Sequence, residues 1–213
     1  PFVRIAKLMA DAGLNVPRVI AEDIPRGFLL LTDLGTAGYL QALNNDSANE
    51  LFRDAIDALL RWQLASRPDV LPAYDRALLT RELRLFPDWY VVRHRGITLT
   101  AAQNTALDSI FELILANNLA QPPVYVHRDY MPRNLMVCEP NPGVLDFQDA
   151  VYGPITYDLA SLFKDAFISW DEERVLDWTI RYWEKAKRSG LPAAADFADF
   201  YRDLDRKSTR LNS

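Results

Sequence analysis

Val126-His127-Arg128-Asp129-Tyr130-Met131-Pro132-Arg133-Asn134, followed by Val144-Leu145-Asp146-Phe147-Gln148-Asp149, is the stretch on which the reading of this chain turns. Val124-Tyr125-Val126 leads into the first half, Leu135-Met136-Val137 leaves it, and Val144-Leu145 opens the second; their branched and apolar side chains make all three strand candidates. Asn141-Pro142-Gly143 between them is a turn signal. Strands this short usually serve to present a loop. One Asp or Asn on such a loop is ordinarily a turn or cap residue. Here two aspartates and an asparagine follow strand ends in close succession, and that combination calls for a chemical reading.

In order, the two halves match H-R-D-x-x-x-x-N and the start of D-F-G, the catalytic loop and metal-binding segment of protein kinases. A hydroxyl that attacks phosphorus must be oriented and must lose its proton, so a carboxylate within hydrogen-bond reach is needed; Asp129 is the candidate base. The phosphates it attacks carry concentrated negative charge that Mg²⁺ neutralises through oxygen ligands, and Asn134 and Asp146 are the candidate metal residues. His127 is expected beneath the loop, its ring nitrogens bonding backbone groups. A metal-hydrolase reading with His127 and Asp129 as ligands is poor, because the one other histidine, His94, sits at a basic helix end and reads as a surface residue.

Outward from this segment the chain is mostly helical. Phe2, Ile5, Ala6, Leu8 and Met9 have helical spacing, and Gly13 stands where a C-terminal cap belongs. Arg18–Ala21 and Phe28–Leu31, joined by a turn-prone Asp23–Gly27, predict a hairpin. Ser47 with Glu50 and Thr100 with Gln103 both fit a capping box. Stripes follow each: Leu51, Ala55, Ile56, Leu59 and Leu60, then Leu107, Ile110, Phe111, Ile114 and Leu115. A third helical stretch, Ala77 to Val92, lies between, and helices are expected over Thr156–Phe167, Glu172–Arg188 and Ala193–Leu204. Trp170, Trp178 and Trp183 fall at helical spacings and read as core.

The 213 residues are 49% hydrophobic, enough for one good core or two small lobes and incompatible with disorder. A net charge of −5 argues against a general nucleic-acid binder, which needs a broad basic surface. No apolar run is long enough to cross a bilayer. A single cysteine, Cys138, and no secretory layout at the first residues predict a cytoplasmic setting. The chain opens at Pro1 and closes on a polar 206–213 run, so it reads as a fragment whose last residues are non-native or disordered.

The run Tyr125–Asn134, the run Gly143–Pro154 and Arg81–Tyr90 resemble the aminoglycoside phosphotransferase family of protein-kinase-like small-molecule kinases, over Pro1 to about Asp205. Within it the likeness is closest to bacterial anomeric kinases of N-acetylmuramate and N-acetylglucosamine, which serve peptidoglycan recycling. Departures from protein kinases agree: Met131 stands where a lysine is usual, Gln148 replaces the Gly of D-F-G, and Asp158-Leu159-Ala160 follows too soon for an activation loop. The resemblance implies an α+β, protein-kinase-like fold, with a truncated N-terminal ATP-binding lobe and hinge at 1–34, a helical catalytic lobe at 35–205 carrying a small β-hairpin, and a tail at 206–213. It implies transfer of the ATP γ-phosphate to a sugar hydroxyl with Mg²⁺, adenine against the main chain of Thr32 and Leu34, and Asp158 bracing the catalytic loop. Aromatic faces stack on sugars and carboxylates bind hydroxyls, so Glu82, Trp89 and Tyr90 are candidate sugar contacts, with Trp89 and Tyr90 equally open to a core role; Arg133 is available for an acidic sugar. A related aminoglycoside, choline or small-alcohol kinase and an inactive kinase-like module are the alternatives. A Gly-rich phosphate loop and a strand lysine are expected upstream of Phe2, so this piece is expected to be inactive by itself.

Overall fold

The computed structural model describes residues 1–207. Helix α1 (Phe2–Asp11) buries Ile5, Ala6 and Met9 and ends before Gly13, whose left-handed φ of +81° turns the chain back. Strands β1 (Val19–Asp23) and β2 (Phe28–Leu31) form an antiparallel hairpin with no fully buried residue; Ile20, Phe28 and Leu30 are exposed. A short helix α2 (Tyr39–Ala42) leads to the long α3 (Ala48–Leu64), then α4 (Arg76–Leu85), which runs into a π-helical segment, Phe86–His94. Pro87 lacks the N–H that a further α turn needs. Helix α5 (Ala101–Ala120) leads to two nested antiparallel pairs: β3 (Pro123–Val126) pairs with β6 (Val151–Pro154), and β4 (Leu135–Met136) with β5 (Gly143–Val144) between them. Helices α6 (Tyr157–Phe163), α7 (Glu172–Arg188) and α8 (Phe197–Lys207) complete the chain.

The fold is thus α+β. One apolar core runs from α1 through α3, the hairpins and α6 to α8. Its aromatic centre is Phe52 of α3, packed against Phe163 of α6 at 5.5 Å and Trp178 of α7 at 4.5 Å between ring centres. Trp178 is fully buried and donates Nε1–H to Asn49 Oδ1, while Trp170 and Trp183 pack partly buried against the same core. The first forty residues pack against the strands that follow α5. Phe2 of α1 packs on Phe147 at 4.9 Å, Asn15 C=O accepts from Val144 N–H, and Ala37 C=O accepts from Val137 N–H, so both flanks of the β4–β5 hairpin are tied to the first forty residues.

Several expectations need correction. The Thr100 capping box forms in both directions, but Ser47 makes no cap bond: its hydroxyl donates to Ala42 C=O and accepts from Asn44 N–H in the turn before α3. In α5, Phe111 and Leu115 are buried while Ile110 is 45% exposed, because the helix carries apolar residues on more than one side. The last helix starts at Phe197 rather than Ala193 and continues past Asp205 through Lys207. Residues 208–213 of the expected tail lie outside the described residues. Among the described residues no helix is long and apolar enough to cross a membrane.

Gly153 of β6 lies tight against Tyr74. A Cβ there would lie 2.6 Å from Cβ of Tyr74, whose N–H is bonded to Tyr152 C=O. Neither partner can withdraw without breaking that bond. Gly153→Ala is therefore expected to destabilise the protein by about 1–3 kcal/mol through overpacking. Calorimetric melting tests this, and an unchanged Tm would show that the Tyr74 segment yields freely.

Candidate active site

The catalytic loop leaves β3 at Val126 and is fixed by its own main chain. Asp158, fully buried in the first turn of α6, accepts His127 N–H at Oδ2 (2.7 Å) and Arg128 N–H at Oδ1 (3.0 Å). The start of α6 is itself anchored: Gln63 Nε2 donates to Ile155 C=O at 3.1 Å, and Gln121 Oε1 accepts from the Thr156 hydroxyl at 2.8 Å. His127 is buried beneath the loop, with Nε2 facing Leu145 C=O at 3.0 Å and Nδ1 accepting Asp129 N–H at 3.2 Å. That pairing assigns the proton to Nε2. Burial holds the imidazole well below its usual 6.5, at about 4, so the ring is neutral at neutral pH. Tyr130 closes the loop against α3 by donating to Ala55 C=O at 2.8 Å.

These bonds set the candidate chemical groups. Asp129 is half-buried, and burial raises its pKa; the Arg128 guanidinium opposes the rise, and the Asp146, Glu82 and Asp149 carboxylates add to it. Asn134 donates its amide N–H to Asp129 C=O (2.9 Å), which leaves Oδ1 as the atom with lone pairs to offer a metal. Its own carbonyl accepts Leu145 N–H at 2.9 Å, joining the loop to the residue before Asp146. Asp146 is exposed with φ +62°, and Gln148 Nε2 donates to its Oδ1 at 2.8 Å. Among the described residues no three His, Cys, Asp or Glu side chains gather into a metal cage. A carboxylate and an amide oxygen fit Mg²⁺ instead, which commonly takes one or two protein ligands and completes its shell from substrate phosphates and water.

The other expected residues divide. Thr32 N–H is committed to Arg18 C=O and its hydroxyl accepts Arg18 N–H, while Leu34 lies past the end of the β1–β2 ladder. Both line a cleft of about 470 Å³ with Asn15, Glu139 and Pro140. Glu82, a candidate sugar contact, is placed beside the catalytic loop: Tyr74 donates to its Oε2 and Arg128 Nη2 to its Oε1. Trp89 and Tyr90 are 55% and 50% exposed, which removes the core reading for both; Trp89 stacks under the Arg93 guanidinium at 3.9 Å. Arg133 is exposed and lies over the Phe167 ring at 5.2 Å. His94 is exposed as expected. Sequence reasoning assigned no role to Arg128, Tyr74, Gln63 or Gln121. Arg128 alone carried a signal, its place within the motif.

His127 yields a pH test. Its folded pKa lies below the unfolded one, so between pH 6.5 and 4 the unfolded state binds more protons, and stability falls as the pH drops through that window. The component is about 3 kcal/mol in full. Urea unfolding at pH 7, 5.5 and 4.5 should show it in the wild type and lose it in His127→Gln; equal slopes in the two proteins would rule it out. Asp158→Asn leaves one loop N–H without its acceptor and should cost about 2 kcal/mol or more by the same assay.

Comparison with known proteins gives the chain's family. The chain is 55% identical over 205 residues to a protein of Pseudomonas putida named N-acetylmuramate/N-acetylglucosamine kinase, covering 96% of this chain and 60% of that relative. It therefore spans about three-fifths of the relative's length. Among solved structures it resembles an aminoglycoside-3'-phosphotransferase of type VIII, with TM-score 0.64 at 14% identity over 97% of this chain and 78% of that one. It also resembles the aminoglycoside phosphotransferase APH(3'')-Id from Streptomyces rimosus in complex with ADP and streptomycin, with TM-score 0.63 at 18% identity over 96% and 80%. At those identities the likeness is one of fold, and the fold is protein-kinase-like. Residues 1–201 match the phosphotransferase enzyme family, and the chain belongs to it.

Proposed function

We propose that this chain carries the hinge and catalytic lobe of a kinase that transfers the γ-phosphate of ATP to the anomeric hydroxyl of N-acetylmuramate or N-acetylglucosamine. The observation that carries the reading is the setting of Asp129: a half-buried carboxylate of raised pKa on a loop whose N–H groups at 127, 128 and 129 are all bonded within the protein. A base of that kind can accept a proton without the loop reorganising. The name carried by the Pseudomonas putida relative, 55% identical, supports the amino-sugar acceptor.

Asp129 orients the acceptor hydroxyl and takes its proton as the oxygen attacks the γ-phosphorus. The bond from that phosphorus to the bridging oxygen breaks, and ADP leaves with the electron pair. Asp146 and Asn134 Oδ1 would hold Mg²⁺, which neutralises phosphate charge when bound. The cleft at Thr32 and Leu34 has room for a purine ring. There main-chain groups of Thr32 and Leu34 would bond the adenine. Trp89 and Tyr90, both half-exposed, offer faces for a sugar ring, and Arg133 a partner for an acidic substituent.

With ATP and Mg²⁺ the full-length protein is expected to phosphorylate N-acetylmuramate. Asp129→Asn should lower kcat by a factor of about 10² or more with ATP affinity retained. Turnover of choline or kanamycin but not of amino sugars would overturn the acceptor assignment. Nucleotide binding without turnover on any of them would favour an inactive module.

A further inference from the structure

Arg128 joins three separate segments. Its N–H is held by Asp158 from one side, and its side chain departs on the other from a backbone with φ +78°. The guanidinium pairs with Glu82 on α4 through Nη2, donates through Nη1 to Asp149 C=O at 3.2 Å, and lies over the Tyr74 ring at 5.8 Å. Glu82 is held in turn: Tyr74 donates to its second oxygen, and Tyr74 N–H is bonded to Tyr152 C=O in β6. The chain of contacts therefore runs from the β3–β6 sheet through Tyr74, Glu82 and Arg128 to the residue before Asp129 and to the segment that holds Asp146. Both charged side chains are about four-fifths buried, so solvent screens the pair only in part.

We propose that Glu82 is a positioning residue: acting through Arg128, it fixes the orientation of Asp129 relative to the 146–149 segment. The assignment deepens the kinase reading and rests on it. Asp158, His127 and Asn134 hold the loop main chain locally, whereas the Arg128 side chain is what ties the loop to α4 and to Asp149. Without that tether the loop can shift as a unit relative to α4 and the 146–149 segment, carrying the Asp129 carboxylate out of line with Asp146. Each Glu82 oxygen carries one protein bond, to Arg128 and to Tyr74, and those bonds fix the direction of the carboxylate.

Two variants of the full-length protein test the proposal. Glu82→Gln keeps the shape and removes the charge. Arg128→Gly removes the tether and suits the left-handed backbone, so its loss cannot be put down to strain. Both should lower kcat about tenfold or more while KM for ATP and for N-acetylmuramate changes by less than about twofold. The double variant should be no worse than the poorer single one, because the two residues act as one unit. Amide hydrogen exchange at residues 128 and 129 should quicken in Glu82→Gln, with α7 unchanged.

A raised acceptor KM at wild-type kcat would make Glu82 a sugar ligand and overturn the proposal, as would unchanged kcat and exchange. If the wild type phosphorylates no amino sugar, the functional reading fails by itself. The exchange measurement still decides the tether: quickened loop amides support it, and unchanged ones refute it.

Discussion

The Asp158 carboxylate and the two N–H groups it accepts are the constraint on which the site depends. A buried carboxylate is costly to desolvate unless it is fully hydrogen-bonded, and charge-assisted bonds to N–H groups repay that cost while fixing direction. Here the donors are consecutive residues of the catalytic loop, so one side chain sets the path of the main chain at His127 and Arg128. Because Asp158 lies in the first turn of α6, the loop inherits the position of that helix. Gln63 from α3 and Gln121 after α5 hold the start of α6, and through it the surrounding helical scaffold reaches the loop. A short helix buried on nearly every side thus performs a task that its length would not suggest.

The same logic separates what was legible in the sequence from what was not. Asp129, Asn134 and Asp146 stand out in the sequence because they fall in a short motif at strand ends, and Asp158 because its D-L-A run carries the family resemblance; the bonds from Asp158 to the loop match that expectation. The Thr100 capping box was legible because both partners lie within four residues. Ser47 has the same local pattern and fails, because the preceding Ala42–Asn44 turn offers its hydroxyl a nearer acceptor and donor. Ile110 fails differently. The stripe in α5 is apolar on two sides, and periodicity cannot say which of them meets the core.

Glu82 illustrates a deeper limit. By residue type it is an acceptor for hydroxyls, and nothing near it in sequence says otherwise. Its partners, Arg128 and Tyr74, come from different elements, and only the crossing of α4 past β6 and the catalytic loop brings them together. Gln63 and Gln121 are of the same kind: buried amides whose partners lie 92 and 35 residues away. Long-range polar pairs carry no periodicity, so the braces of a site are harder to read than its chemical groups.

Two non-glycine residues in left-handed backbone, Arg128 and Asp146, stand at the two ends of the candidate chemistry. Each costs about 1 kcal/mol relative to glycine and persists only where its surroundings over-determine it. At Asp146 the compensation is chemical: a carboxylate is wanted at that point, and Gln148 steadies it. At Arg128 a glycine would make the same turn at lower conformational cost, so the arginine has to be explained by its side chain. The contacts of its guanidinium supply the explanation, since they tie the loop to α4 and to the 146–149 segment together. The turn that presents Asp129 is therefore held from both edges, by Asp158 through the main chain and by Glu82 through a side chain.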